Sequence, residues 1–389
     1  MRDWQASRRG VLAGMGGLSL TACAGAPAVL PVGGPVAGGN TSLDAIARRG
    51  GRRFGTAVAW NEAGTGMSLS NPDYAALVRS ECGIIVPENE MKWQALRPSP
   101  DAYDFSAMDE IARWALAHAM ELRAHVLLWH RPEWFPDWLN SYDFGANPVR
   151  EAERLLVDHI ATVTARYGDQ IASWDVVNEA IDHQRRAPIE TSLSRAMGNP
   201  EAVIDLAFHA ARERLPDAQL VYNDYMSWEP AHAGHCADVL RLLEGMKKRG
   251  VPCDALGIQS HIEIFEIDPA TGVGPYDEAG WRRFLDDVTG MGYRLLITEF
   301  DVKDAALPGD IALRDAKVAD YTRRYFDLML EYDDHLDDIL AWGMVDASNW
   351  LQYFEPAARP DGLEVRGTPY DSKYRTKPMR DAIAAALQA

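Results

Sequence analysis

Ser173-Trp174-Asp175-Val176-Val177-Asn178-Glu179 is a short, β-rich and mostly apolar run that closes on an amide and a carboxylate. The same form recurs along the chain. Runs of this kind occupy residues 54–60, 83–89, 122–130, 173–179, 219–224, 256–261, 295–301 and 339–346. Most are continuous rather than alternating, as expected of strands buried on both faces. Longer amphipathic stretches lie between them, for example 108–120, 149–167, 200–215 and 311–332. Eight repeats of strand then helix predict a single (β/α)8 TIM barrel, of the α/β class, over residues 43–389.

The ends of the runs carry the second signal. Glu88 and Asn89 close the second run, His130 the third, Asn178 and Glu179 the fourth, and Asn223 and Asp224 the fifth. Gln259 and His261 close the sixth, Glu299 and Asp301 the seventh, and Asp346 the eighth. In a barrel these ends share one face, the face that carries catalysis.

Composition narrows the substrate. The formal net charge of −18 argues against nucleic acid, because phosphate binding needs clustered Lys and Arg. Twelve Trp and fourteen Tyr fit a neutral polysaccharide, because aromatic faces stack on sugar rings, although most such residues serve the core. Residues 1–42 are set apart from the fold. Ser7-Arg8-Arg9 opens a twin-arginine pattern, followed by an apolar, Gly-rich run too short to span a membrane. Leu20-Thr21-Ala22-Cys23 resembles a lipobox, so Cys23 is the expected lipid anchor of a periplasmic or cell-surface protein. Cleavage after Ala24-Gly25-Ala26 would instead release a soluble secreted one. Residues 24–39 read as a flexible tether. Of the remaining cysteines, Cys236 and Cys253 form either a disulfide or, with Cys82, buried free thiols.

Glycoside hydrolysis needs two carboxyl groups flanking one bond. Glu179 and Glu299 fit, three strands apart around a narrow barrel. Glu179 is the expected acid/base, its proton retained through burial and the nearby charge of Glu299. Glu299 is the expected nucleophile. His261 is placed to hydrogen-bond to Glu299, with Asp301 orienting the imidazole, and Asn178 to bind a sugar 2-hydroxyl. A carboxyl separation of about 5 to 5.5 Å would give retention of configuration.

These motifs resemble glycoside hydrolase family 10, the endo-β-1,4-xylanases, over about residues 43–389. Val86-Pro87-Glu88-Asn89-Glu90-Met91-Lys92-Trp93 looks like the family's strand-two motif, which implies that Glu88, Asn89 and Lys92 bind xylose hydroxyls on the glycone side. His125-Val126-Leu127-Leu128-Trp129-His130 resembles the third-strand motif, where His125 and Trp129 line the subsite next to the cleaved bond. Residues 174–180, Tyr222-Asn223-Asp224-Tyr225, Gln259-Ser260-His261 and residues 297–301 match the motifs of strands four to seven. The resemblance implies that Gln259 and His261 hydrogen-bond around the nucleophile. It also implies that Trp342 and Trp350 enclose the glycone sugar. The expected partners are xylan and xylo-oligosaccharides, plain or decorated. No cofactor and no metal are implied, and a monomer is the default.

The likeness has departures. After His130 the family usually continues Ser-Gln, whereas Arg131-Pro132 and an aromatic segment to Trp138 follow here. Arg131 would then supply the missing glycone contact, recognise a glucuronic acid, or form a salt bridge. Residues 352–367 are long and charged and would reshape one rim. Three other readings stay open at this level. One is a mannanase or cellulase of the same clan, and another a non-catalytic xylan-binding surface protein. The third is a metal enzyme built on strand-end His and Asp, or on His232 and His235.

Overall fold

A computed structural model describes residues 41–264 and 275–389; the twin-arginine pattern, Cys23 and the tether lie outside the described residues. Eight parallel strands close on themselves: β1 (Arg53–Val58), β2 (Ile84–Pro87), β3 (Glu121–Ala124, resumed at Leu128–Trp129), β4 (Ile171–Asn178), β5 (Gln219–Asp224), β6 (Ala255–Ile258, resumed at His261–Glu263), β7 (Arg294–Lys303) and β8 (Leu336–Ala341). Each strand pairs with the next, and β1 also pairs with β8 through Arg53–Asp338 to Thr56–Ala341. The (β/α)8 barrel read from the sequence is the fold.

Eight helices alternate with the strands: α1 (Pro72–Glu81), α2 (Ser106–Ala117), α3 (Pro148–Tyr167), α4 (Pro200–Arg214), α5 (Ala233–Arg249), α6 (Glu278–Gly290), α7 (Ile311–Met329) and α8 (Pro378–Leu387). Several start in the same way. Asn71 and Asn199 cap α1 and α4 from the residue before a proline, and Asp310 caps α7. The side-chain oxygen satisfies backbone donors that the first helical turn leaves free, and proline at the first position has no donor to satisfy. The apolar stripes of these helices pack on the outer face of the strands in one continuous core. Val221, Ala255 and Leu296, on the adjacent strands β5, β6 and β7, form a small separate buried cluster.

The differences from the sequence reading fall at the carboxyl ends of the strands. The run 122–130 is broken between Ala124 and Leu128, and the run 256–261 between Ile258 and His261. Ser260 takes φ +60° there, a left-handed conformation that no regular strand accommodates. The run 339–346 stops at Ala341, because Gly343 turns the chain at φ +100°, where a Cβ would meet the Met67 sulfur at 2.6 Å. In β7 the register with β8 shifts between Ile297 and Phe300. Such irregularities re-aim side chains at a barrel rim. One open alternative is resolved: Cys236 and Cys253 are buried free thiols, as is Cys82, and not a disulfide. Cys236 lies on α5, and Cys253 sits before β6 with its Sγ directed at the Ala255 carbonyl, 3.5 Å away. Burial pushes both thiols up to about 12.

Candidate active site

Glu179 follows the last residue of β4 and adopts φ +50°. Its N–H donates to the Asn223 carbonyl at 2.9 Å, which holds this unfavourable backbone in place. Oε1 accepts from Gln259 Nε2 at 2.9 Å, and Oε2 lies 3.0 Å from Arg131 Nε. Burial raises this carboxyl above its ordinary value; Arg131 opposes the shift, while Asp224 and Glu299 add to it.

Glu299 lies inside β7. Its Oε1 accepts from Asn223 Nδ2 at 2.8 Å and its Oε2 from His261 Nε2 at 3.1 Å. Behind the imidazole, Nδ1 donates to Asp301 Oδ1 at 2.9 Å, and Asp301 Oδ2 accepts from Trp350 Nε1 at 2.6 Å. Burial works against a charged His261, but Asp301 and Glu299 outweigh it and hold the ring at about 9. The ring is therefore an imidazolium at neutral pH, a donor at both nitrogens. Burial pushes the Glu299 carboxyl up, but the His261 hydrogen bond and the charges of His125 and His261 outweigh it. The net position is below the ordinary carboxylate value. The two carboxyls are thus driven apart, one toward the protonated form and one toward the ionised form.

The residue that sequence reasoning passed over as a site residue is Asn223. Its Nδ2 donates to both Asn178 Oδ1 (2.9 Å) and Glu299 Oε1 (2.8 Å), while its Oδ1 accepts from Thr298 Oγ1 at 2.7 Å. Consecutive strand residues normally face opposite ways. The register shift in β7 brings Thr298 and Glu299 to the same amide. Gly257 leaves room for it, since a Cβ there would stand 2.3 Å from Asn223 Oδ1. A continuous chain of hydrogen bonds joins the carboxyls: Glu179, Gln259, Asn178, Asn223, Glu299. Gln259, expected beside Glu299, sits instead on Glu179, because the left-handed turn at Ser260 separates its direction from that of His261. Nδ2 of Asn178 is buried and has no partner among the described residues, so it is left available to a ligand hydroxyl.

The remaining expected residues gather on the same face. Lys92 Nζ donates to Asn89 Oδ1 at 2.8 Å and stands 4.6 Å from the centre of the Trp129 ring. Burial lowers this lysine, and burial raises neighbouring Glu88 to about 7. Trp134, from the segment after His130, stacks on Trp129 at 4.2 Å. His125 Nδ1 donates to Asp175 at 2.9 Å, and its ring meets Trp342 edge-on at 5.4 Å. Trp350 lies 4.8 Å from the His261 ring. His130 stands apart, held by the Ile189 carbonyl at 3.0 Å. Asp346 is also withdrawn, and pairs with Lys377 at 2.9 Å. His235 is bonded to Asp224 at 3.0 Å.

Both departures from the family pattern are now located. Of the three roles weighed for Arg131, the structure contains the ion pair, and its partner is Glu179. Residues 352–367 fold back on the barrel. Gln352 bonds to Val365 in both directions, and the buried Arg359 donates to the Asp304 carbonyl at 2.6 Å. Tyr353 projects from this segment into solvent.

Comparison with known proteins adds independent information. The model of glycosyl hydrolase family 10 matches residues 42–386. A β-1,4-xylanase of Dictyoglomus thermophilum is 30% identical over 302 residues, covering 74% of this chain and 78% of that protein. Endo-1,4-β-xylanase C of Paenibacillus barcinonensis is 29% identical over 346 residues, which is 84% of this chain but only 30% of that much longer protein. Among solved structures, xylanase 10B of Thermotoga petrophila RKU-1 in complex with xylobiose superposes with a TM-score of 0.76 at 28% identity, covering 90% of this chain and 98% of that one.

Proposed function

The chain belongs to glycosyl hydrolase family 10, and from that premise we propose that it is an endo-β-1,4-xylanase acting with retention of configuration. The observation that carries this reading is a pair of strand-end carboxyls joined by a continuous hydrogen-bonded chain, Glu179 raised by burial and Glu299 lowered by His261 and His125. In the first half-reaction Glu299 bonds to the anomeric carbon as the glycosidic C–O bond breaks, and Glu179 gives its proton to the departing oxygen. In the second, Glu179 takes a proton from water, whose oxygen bonds to the anomeric carbon as the Glu299 ester breaks.

The other residues serve these steps. Asn178 Nδ2 donates to the sugar 2-hydroxyl, a contact that strengthens as charge develops at the ring. His261, backed by Asp301, keeps Glu299 ionised. Glu88, Asn89 and Lys92 form a polar corner for glycone hydroxyls, with Trp129, Trp342 and Trp350 as apolar faces and His125 beside them. Xylo-oligosaccharides are the substrate class. Release of reducing ends from xylan, mannan and soluble cellulose tests the reading. Turnover of xylan alone, abolished in Glu299→Ala with xylan binding intact, is expected. Turnover of mannan or cellulose in preference to xylan would overturn it.

The first forty residues support export by the twin-arginine route with lipid attachment at Cys23. Incorporation of labelled palmitate that Cys23→Ser abolishes is the expected result.

A further inference from the structure

Arg131 stands where the family pattern has no cation, and it is held tightly. Its own N–H donates to the Trp129 carbonyl at 2.8 Å, and Pro132 follows it into a short 3-10 turn closed by Trp134 N–H to Arg131 O at 3.1 Å. The guanidinium lies over the Tyr225 ring at 5.5 Å. It donates to the Glu179 carbonyl at 3.2 Å, while its Nε is 3.0 Å from Glu179 Oε2. Both side chains are largely buried, at 22% and 15% exposure, so solvent screens the pair weakly.

We propose that Arg131 is a positioning residue that aims the Glu179 carboxyl and sets the pH above which Glu179 stops acting as an acid. The inference rests on the acid/base reading of Glu179. A fixed cation at this distance favours the ionised carboxyl. It therefore opposes Glu179 in the first half-reaction, where the proton must be present. It assists Glu179 in the second, where the proton must be absent.

The charged and titratable groups facing Glu179 come from every side of the cleft. They are Lys92 after β2, Arg131 after β3, and His183 in the hairpin after β4. Asp224 and Tyr225 follow on and after β5, with His235 of α5 behind Asp224. Glu299 at β7 also acts on Glu179, with His261 at β6 bonded to Glu299, His235 to Asp224 and His183 to Tyr225. Among the described residues, Arg131 alone of the cations pairs directly with the Glu179 carboxyl oxygens. Its removal leaves burial, Asp224 and Glu299, which favour the protonated form, opposed by the Gln259 hydrogen bond.

The test is the pH profile of kcat/KM for Arg131→Gln and Arg131→Lys on a xylo-oligosaccharide, whose leaving group needs protonation. In Arg131→Gln the basic limb is expected to move up by about one to three pH units, with the acidic limb unmoved. Arg131→Lys keeps the charge and is expected to move it by less than half as much. On an aryl xylobioside with a good leaving group, where the second half-reaction limits, Arg131→Gln is expected to lose turnover near pH 6. The loss should be about tenfold for each pH unit by which the raised midpoint exceeds the assay pH. A loss equal at every pH in both variants, with limbs unmoved, would mark Arg131 as a purely structural residue and overturn the proposal.

If Arg131→Gln does not fold, a carbon-13 NMR titration of Glu179 in wild type and in Arg131→Met, which keeps the apolar stem and removes the charge, decides. A higher Glu179 midpoint in the variant supports the proposal, and an unchanged one overturns it. Glu179→Gln separates the two levels. Near-wild-type rates of that variant on the xylo-oligosaccharide would defeat the acid reading itself. A severe loss there, with the Arg131→Gln limbs unmoved, would defeat this inference alone.

Discussion

His261 Nε2 stands 3.1 Å from Glu299 Oε2, with the other imidazole nitrogen donating to Asp301. The cation is what lets a buried carboxylate stay ionised. Glu299 attacks only as an anion, so activity falls as pH drops through its midpoint, which lies below the ordinary carboxylate value. His261→Asn removes the charge and lets burial dominate. The acidic limb of kcat/KM is expected to move up by about one to two pH units, read from initial rates on xylo-oligosaccharides, with the basic limb unmoved.

Asn223 ties together Asn178, Thr298 and Glu299 through one side chain. Asn223→Ala removes a hydrogen bond to a charged group, worth about 1.5–3 kcal/mol. A fall in kcat of roughly ten- to hundredfold is expected, with the chain still folded by circular dichroism. Gly257→Ala should resemble it, because the new Cβ occupies the space of the Asn223 amide.

The unpartnered Nδ2 of Asn178 makes a prediction about substrate rather than pH. Asn178→Ala should lose rate on aryl xylosides that carry the 2-hydroxyl and lose little on the 2-deoxy analogues. A double cycle of enzyme and substrate isolates that one contact. Equal losses on both substrates would remove Asn178 from the 2-hydroxyl.

Stability should depend on charge pairs according to burial. Arg123 Nη1 donates to Asp175 Oδ2 at 2.7 Å, and both side chains are at most 1% exposed. Removing the cation leaves a buried carboxylate with His125 as its remaining side-chain partner, so Arg123→Ala should cost about 3 kcal/mol in urea unfolding. The exposed pair Arg323–Asp327 on α7 is the control, and Arg323→Ala should cost under about 0.5 kcal/mol.

The barrel and its catalytic face were legible because they rest on local patterns. Continuous apolar runs, amphipathic spacers and polar closing residues each survive in one dimension. What stayed hidden depends on how the strands break. Nothing in Ile297-Thr298-Glu299-Phe300 announces a register shift, yet that shift lets Thr298 and Glu299 share Asn223. The left-handed turn at Ser260 likewise sends Gln259 to Glu179 rather than to Glu299. Asn223 did carry a signal, since it closes the fifth run. Only the neighbouring strands reveal that it spans the site. Arg131 was marked as a departure from the family pattern, but its partner lies 48 residues away, just past the end of the next strand. The pairing of Cys236 with Cys253 was open in sequence, where spacing says nothing of direction.

The central claim is that Glu299 bonds covalently to the sugar. The most direct test treats the enzyme with a 2-deoxy-2-fluoro xylobioside bearing a dinitrophenyl leaving group, followed by mass spectrometry of the peptic peptides. The fluorine slows the second half-reaction, so the intermediate accumulates. The account predicts one glycosyl label, on the peptide holding Glu299 and on that side chain. A label on any other residue, or steady turnover with no covalent adduct and an inverted product anomer, would contradict it.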